Sequence, residues 1–202
     1  MAGAREAALQ APAAVGRRAR GLKRATEAAL VRDAQRGSAD AVAELFRRHW
    51  PRAHRAAWLV IHDSAAAEDV AQEAFVAAVR ALHRFDRRRP FAPWLHRIVV
   101  NRAIDHARAR ELRREVGAEA AAGLAARPGP DTAAAPSDEV LAALAALPPE
   151  QRAVIVLRHL LDFSPGEIAR ALGLPRGTVN SRLRRGLDGL QEAVGAREER
   201  DG

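Results

Sequence analysis

The ten residues from Arg176 to Arg185, RGTVNSRLRR, hold four arginines, two hydroxyl side chains and one amide, with no acid among them. None of these groups breaks bonds. Guanidinium groups hold phosphates, and amide and hydroxyl groups read base edges. The chemistry on offer is therefore recognition of duplex DNA. The preceding residues say how those side chains would be held. Ser164 is a good N-cap, Glu167 lies where it can reach back to the cap, and Pro165 falls at the first helical position. Phe163 and Ile168 occupy the two places of a hydrophobic staple, Gly173 is placed to end the helix, and Pro175 cannot continue it. A second helix is expected from about Arg176 to Leu190, with Val179, Leu183, Leu187 and Leu190 facing a core. Ser181, Arg184 and Arg185 then point outward, flanked by Thr178, Asn180 and Arg182. The pattern is that of a helix-turn-helix. A plain amphipathic hairpin with a solvated arginine face would leave the agreement of cap, turn, spacing and charge unexplained.

A second cationic element is LHRFDRRRPFAPW, where the run Arg87–Arg89 is interleaved with Phe85, Phe91 and Trp94. Aromatic faces beside cations suit single-stranded DNA, because an unstacked base regains about 1–3 kcal/mol on an aromatic ring. The same rings could equally be core anchors, which is the expectation for Trp94 at the start of a helix. In the helix that follows, Arg97, Asn101, Asp105 and Arg108 share one side. Asn101 could read a base or brace a loop, and the residues alone leave both open. A third element lies upstream. Ala71, Ala74, Phe75, Ala78 and Leu82 form an apolar stripe, and Asp69, Gln72, Glu73 and Val76 lie opposite it. Taken alone, that acidic and amide face reads as solvated surface. In a basic chain it also suits a protein partner.

Composition frames these elements. The chain has 202 residues, a net charge of +8, few aromatics and no cysteine. From Arg80 to Arg114 there are 11 arginines against three acids, a surplus equal to the whole net charge. An Ala/Arg-rich chain also follows from a GC-rich genome, so the distribution carries more weight than the total. Disulfides and thiolate metal sites are excluded, and the seven histidines form no HxxxH or HExxH pair. Neither a metal nor another cofactor is expected. No apolar run reaches the roughly 20 residues a spanning helix needs. No part alternates as a strand does, so the expected class is all-α. Thr26, Ser38 and Ser137 are candidate N-caps, and Pro148-Pro149 divides two helices. The expected division is a disordered basic tail over 1–25, a helical domain over 26–114, a flexible linker over 115–136, a second helical domain over 137–195 and a charged tail over 196–202.

In combination, AEDVAQEAF, the aromatic-basic loop, WLHRIVVNRAIDHAR and LPPEQRAVIVLRHLLDFSPGEIARALGLPRGTVNSRLRR resemble the sigma-70 family of bacterial RNA polymerase sigma factors, and the short two-block chain is similar to its extracytoplasmic-function (ECF) subgroup. The resemblance implies a cytoplasmic protein that does no covalent chemistry and converts core polymerase into a promoter-specific holoenzyme. It implies that Glu68, Asp69, Gln72 and Glu73 dock on the β′ clamp helices. Phe85, Arg87, Arg88, Phe91, Arg97, Asn101 and Arg102 would recognise and melt the −10 element. Arg176, Thr178, Asn180, Ser181, Arg182, Arg184 and Arg185 would read the −35 element, while the second domain meets the β flap. An anti-sigma factor is an implied partner. Two departures stand out: Asn180 replaces a lysine of many relatives, and the loop RFDRRRPFAP is unusually rich in arginine. The main rival is a stand-alone helix-turn-helix regulator binding an operator as a dimer, which leaves the loop and the acidic helix unexplained. A nuclease lacks a metal or nucleophile cluster. A linker of 22 residues spans roughly 25 Å relaxed and roughly 70 Å extended. Its flexible Pro/Gly/Ala composition motivates the expectation that the free chain collapses into a compact form with its DNA-binding faces hidden.

Overall fold

The computed structural model describes residues 25–115 and 137–201, apart from the side chains of 115 and 196–201. Most of the expected N-terminal tail and nearly all of the expected linker lie outside the described residues. Within them, the regular structure is entirely helical. The first block holds α1 (Glu27–Gln35), α2 (Ala39–Ile61), α3 (Ser64–Ala81), a short 3₁₀ turn (Leu82–Arg84) and α4 (Phe91–Glu115). The second holds α5 (Asp138–Ala146), α6 (Pro149–Ile155), a π-helical turn (Val156–Leu160), α7 (Pro165–Leu172) and α8 (Arg176–Asp201).

The helix starts follow from their caps. Thr26, Ser38, Asp63, Ser137 and Ser164 each accept a hydrogen bond from an amide inside the first turn. At Ser164 the bond is reciprocal, because its own N–H donates to Glu167 Oε2 at 2.8 Å. Such a cap is worth about 1 kcal/mol. Gly173 ends α7 at φ +65°, a left-handed conformation that favours glycine. Two non-glycine residues also take positive φ. His62 closes α2 at φ 56° and Asp162 follows the π turn at φ 60°. Burial of His62, 5% exposed, holds that corner in place.

The apolar stripes bring the helices together. Leu30 and Val31 of α1, Leu45 and Val60 of α2, Ala71 and Ala74 of α3, and Leu95, Val99 and Val100 of α4 fill the first block. Alanine at so many inward positions lets the axes approach closely. Val154, Leu157, Phe163, Ile168 and Val179 fill the second block, and one apolar cluster runs through both.

One helix tolerates an internal proline, and one expectation is corrected. Pro51 sits within α2, and the helix continues ten residues beyond it, because one lost backbone bond is outweighed by burial of Ala53, Ala56, Ala57 and Val60. Leu187 does not face the core and is 39% exposed. The inward face of α8 is centred instead on Val179, Leu183, Gly186 and Leu190. A Cβ on Gly186 would stand 2.7 Å from Ile155 Cδ1, and one on Gly189 would stand 2.9 Å from Leu147 Cδ2. These glycines seat α8 against α5 and α6, and Leu187 falls at the edge of the contact.

Candidate nucleic-acid interface

Helix α8 presents the first candidate surface. Val179 is fully buried and Leu183 partly so, which turns Arg176, Asn180, Arg184 and Arg185 to solvent. Thr178, Ser181 and Arg182 are half-buried at its margins. Ser181 Oγ donates to the Thr178 carbonyl at 3.0 Å, so that hydroxyl is committed to its own helix. Asp188, three residues beyond Arg185, is the first acid after Arg176. The exposed face is therefore cationic through its first three turns.

The loop before α4 forms the second surface. Arg87, Arg88 and Arg89 are exposed. Asp86 braces the loop, its Oδ1 accepting from the Arg88 amide at 3.0 Å and its carbonyl from the Arg89 amide at 3.0 Å. The aromatic residues behave otherwise. Phe85 and Phe91 are 7% and 5% exposed, and with Trp94 they form a three-ring cluster with centroids 4.8 to 5.7 Å apart. Both phenylalanines are core anchors in this arrangement, not faces open to a base. The rings exclude more water against one another than they would on the surface, so the loop offers its cations and keeps its aromatics.

Residues of α4 divide between settings. Arg97 is exposed, while Asn101 Nδ2 donates to the Ala171 carbonyl at 3.2 Å, near the end of α7. Arg102 turns the other way. It lines an open groove of about 620 Å³ with Asp69, Gln72, Glu73, Val76 and Arg80. The residues implied for −10 recognition thus fall on three neighbouring patches. The acidic face of α3 is exposed throughout, with Gln72 Nε2 donating to Glu68 Oε1 at 3.2 Å. Val76, 50% exposed, gives it an apolar centre.

Polar contacts join the two blocks. Arg52 of α2 donates to the Leu160 carbonyl and pairs with Asp162 at 2.6 Å. Arg108 pairs with Glu150 at 2.5 Å. Burial works against the Glu150 charge, but the Arg108 hydrogen bond and the Arg108 and Arg182 charges hold its carboxyl below the usual range. Arg152 is 6% exposed, 3.9 Å from Glu111, and burial lowers its pKa. It also disfavours protonation of His62, which burial chiefly lowers to about 4. The blocks are packed together, yet only part of the expected DNA-binding surface is covered. Asn101 is engaged, whereas the exposed arginines of α8 remain open.

Residues that sequence reading missed hold the loop in place. Gln35 of α1 donates to the carbonyls of Leu82 and Phe85, each at 2.9 Å. Glu27 accepts from the Phe91 amide at 3.2 Å and pairs with His49 at 2.9 Å. The His49 hydrogen bond lowers the Glu27 pKa against the opposing effect of burial. The backbone groups they hold lie 47 to 64 residues away along the chain, so no local signal marks them.

The fold defines an all-helical protein of two blocks, the second built on a capped helix-turn-helix. Residues 45–113 match the family described as Sigma-70 region 2, and residues 137–188 match Sigma-70, region 4. The ECF RNA polymerase sigma factor SigM of Mycobacterium tuberculosis is 37% identical over 153 residues, 75% of this chain and 76% of that protein. SigW of Bacillus subtilis, also an ECF RNA polymerase sigma factor, is 30% identical over 176 residues, 81% of this chain and 94% of that one. Among solved structures, CnrH in complex with the cytosolic domain of CnrY superposes with a TM-score of 0.61 at 30% identity, covering 84% of this chain and 97% of CnrH. The sigma factor RpoE in complex with the anti-sigma factor NepR from Bartonella quintana shares the fold, with a TM-score of 0.62 at 23% identity over 76% of this chain and 96% of RpoE. The chain belongs to the sigma-70 family and, within it, to the ECF RNA polymerase sigma factors.

Proposed function

We propose that the chain docks on core RNA polymerase through Glu68, Asp69, Gln72 and Glu73 and directs it to promoters with two DNA-reading surfaces. The exposed face of α8 reads the −35 element, with Arg176, Asn180, Arg184 and Arg185 reaching the major groove and Thr178 and Arg182 at its edge. The cations Arg87 and Arg88, with Arg97, engage the −10 element and its displaced strand. The observation that carries this reading is the separation of surfaces. An acidic, amide-bearing face on α3 and cationic faces on the loop before α4 and on α8 are all exposed, on different elements of one molecule, as a bridge between a protein and DNA requires.

Magnitudes favour a bipartite reader. A base contact contributes about 1–3 kcal/mol, too little for one short helix to select a site across a genome. Two readers on one platform make the second binding event intramolecular, which multiplies their selectivity. Each surface can then be weak alone.

A protein partner also fits between the blocks. An apolar cavity of about 490 Å³, lined by Leu59, Val140, Leu144, Ile155, Leu187 and Leu190 among others, lies between α2 and the second block. Val140 and Leu187 are exposed there. CnrH and RpoE are both described in complex with a partner protein, an anti-sigma factor in the case of RpoE. We assign this cavity to a helix of such a factor. Among the described residues no helix is long and apolar enough to cross a membrane, which suits action on polymerase in the cytoplasm.

Run-off transcription with purified core polymerase on genomic fragments tests the reading. The expected result is initiation at discrete sites. Absence of both initiation and core binding would overturn it. Replacing Asp69 and Gln72 with arginine should abolish core binding while the melting temperature stays unchanged.

A further inference from the structure

The aromatic-basic loop is held at both ends by one short helix, α1, that lies outside the proposed reading and docking surfaces. Gln35 lies at the C-terminal end of α1 and its amide bridges two carbonyls, Leu82 and Phe85, where the chain leaves the 3₁₀ turn. Glu27 lies at the N-terminal end of α1 and accepts from the amide of Phe91, the first residue of α4. The two residues are eight positions apart, a rise of about 12 Å along the helix. α1 is itself anchored by Leu30 and Val31, which are 0% and 1% exposed, and by Arg48, which donates to the Ala25 carbonyl at 2.8 Å.

The chemistry of each end is specific. α4 has no acid in its own first turn. Glu27 supplies from another helix an acceptor for a first-turn amide of α4, which has no partner within its own helix. At the other end two carbonyl oxygens converge on the Gln35 amide. It is a second donor to Leu82, already bonded to the Phe85 amide at 3.0 Å, and a donor to Phe85. Between these fixed ends the backbone presents Arg87, Arg88 and Arg89 without a further ordering cost when a strand arrives.

We infer that α1 is a splint for the −10 loop, with Glu27 and Gln35 as positioning residues for strand capture. This rests on the sigma reading for its purpose, though the splint is testable without it. Two isosteric substitutions should behave oppositely. Glu27→Gln keeps an acceptor for the Phe91 amide and is expected to leave the loop held. Gln35→Glu replaces a donor with an acceptor facing two carbonyls and is expected to release it.

Amide hydrogen exchange of the full chain reads this directly. Gln35→Glu and Gln35→Ala should speed exchange at residues 82–91 about tenfold, the scale of a lost hydrogen bond, whereas Glu27→Gln should match the unmodified chain. Glu27→Ala should release the α4 end alone. The second readout is opening of a run-off fragment by holoenzyme, followed by permanganate reactivity. Gln35→Glu should open the duplex several-fold more slowly, bind core polymerase equally well, and recover on a pre-melted template. Equal exchange in Gln35→Glu and the unmodified chain would overturn the splint, as would an equal slowing by both isosteric variants. Failure of the unmodified chain to initiate would overturn the sigma reading instead, with the exchange data still deciding the splint.

Discussion

The two DNA-reading surfaces are built in opposite ways. On α8 the reading residues are contiguous, and the elements that aim them, the Ser164 cap, the Gly173 corner and the buried Val179, lie within twenty residues. In the −10 loop the reading residues are also contiguous, but what aims them comes from far along the chain. Glu27 and Gln35, some 50 to 64 residues upstream, fix a segment that has no periodic pattern of its own and whose flanking rings, Phe85 and Phe91, are turned inward. The first surface is a local motif that needs a platform to lie on. The second exists only when the whole first block is folded. Loosening the first-block core should therefore damage the loop more than it damages α8.

The largest expected effect tests that asymmetry. Leu95, fully buried in α4 one residue after Trp94, should cost about 2–5 kcal/mol when replaced by alanine. Denaturant unfolding measures the loss, and amide exchange at residues 82–91 should rise while duplex binding by α8 persists. Unchanged exchange there, or an equal loss of duplex binding, would break the comparison.

Acid provides a second, slightly smaller lever. His62 and His96 are both in the first block, and burial is the main cause that lowers each to about 4. Unfolded histidine titrates near 6.5, so between those values the unfolded chain binds more protons and stability falls as pH falls. Each histidine should contribute up to about 3 kcal/mol that is fully present above pH 6.5 and lost as pH drops towards 4. In the second block, His159 is exposed. Thermal melts from pH 7.5 to 4.5 should show the first block losing stability first, and His96→Phe should flatten that slope.

The third prediction concerns α8 alone. Arg185→Ala should weaken binding to a −35 duplex by about 1–3 kcal/mol with relaxed preference at one base pair if its partner is a guanine edge. If its partner is phosphate, the loss is uniform across sequences and the salt slope falls by about 1. A salt titration on two duplexes separates these outcomes, and neither should alter permanganate reactivity on a pre-melted template.

The smallest effect is on the cap. Ser164→Ala removes one side of the Ser164–Glu167 exchange and should cost about 1 kcal/mol. Unfolding should register it, with exchange at 82–91 unchanged.

Legibility followed the range of the interactions. Four N-caps, the αL glycine and the inward placement of Val179 and Ile168 were readable because each depends on neighbours a few residues away. Leu187 misled because helical spacing marks a stripe of the sequence and not which side of the stripe meets a neighbour. Gly186 and Gly189, which look like interruptions, are where α8 makes its closest approach. Phe85 and Phe91 read equally well as base-stacking rings or as core. Arg102 and Asn101 are adjacent in sequence, yet one lines the acidic groove and the other meets α7.

Sequence alone determined the helices, their starts, the cationic face of α8 and the resemblance to sigma-70 factors, because capping, periodicity and charge act over a few residues. Tertiary structure alone decided which aromatics are covered, which arginines are free to meet DNA, how the two blocks share Arg52, Arg108 and Arg152, and that α1 holds the −10 loop. Those outcomes depend on groups dozens of residues apart, and only packing brings them within hydrogen-bonding distance.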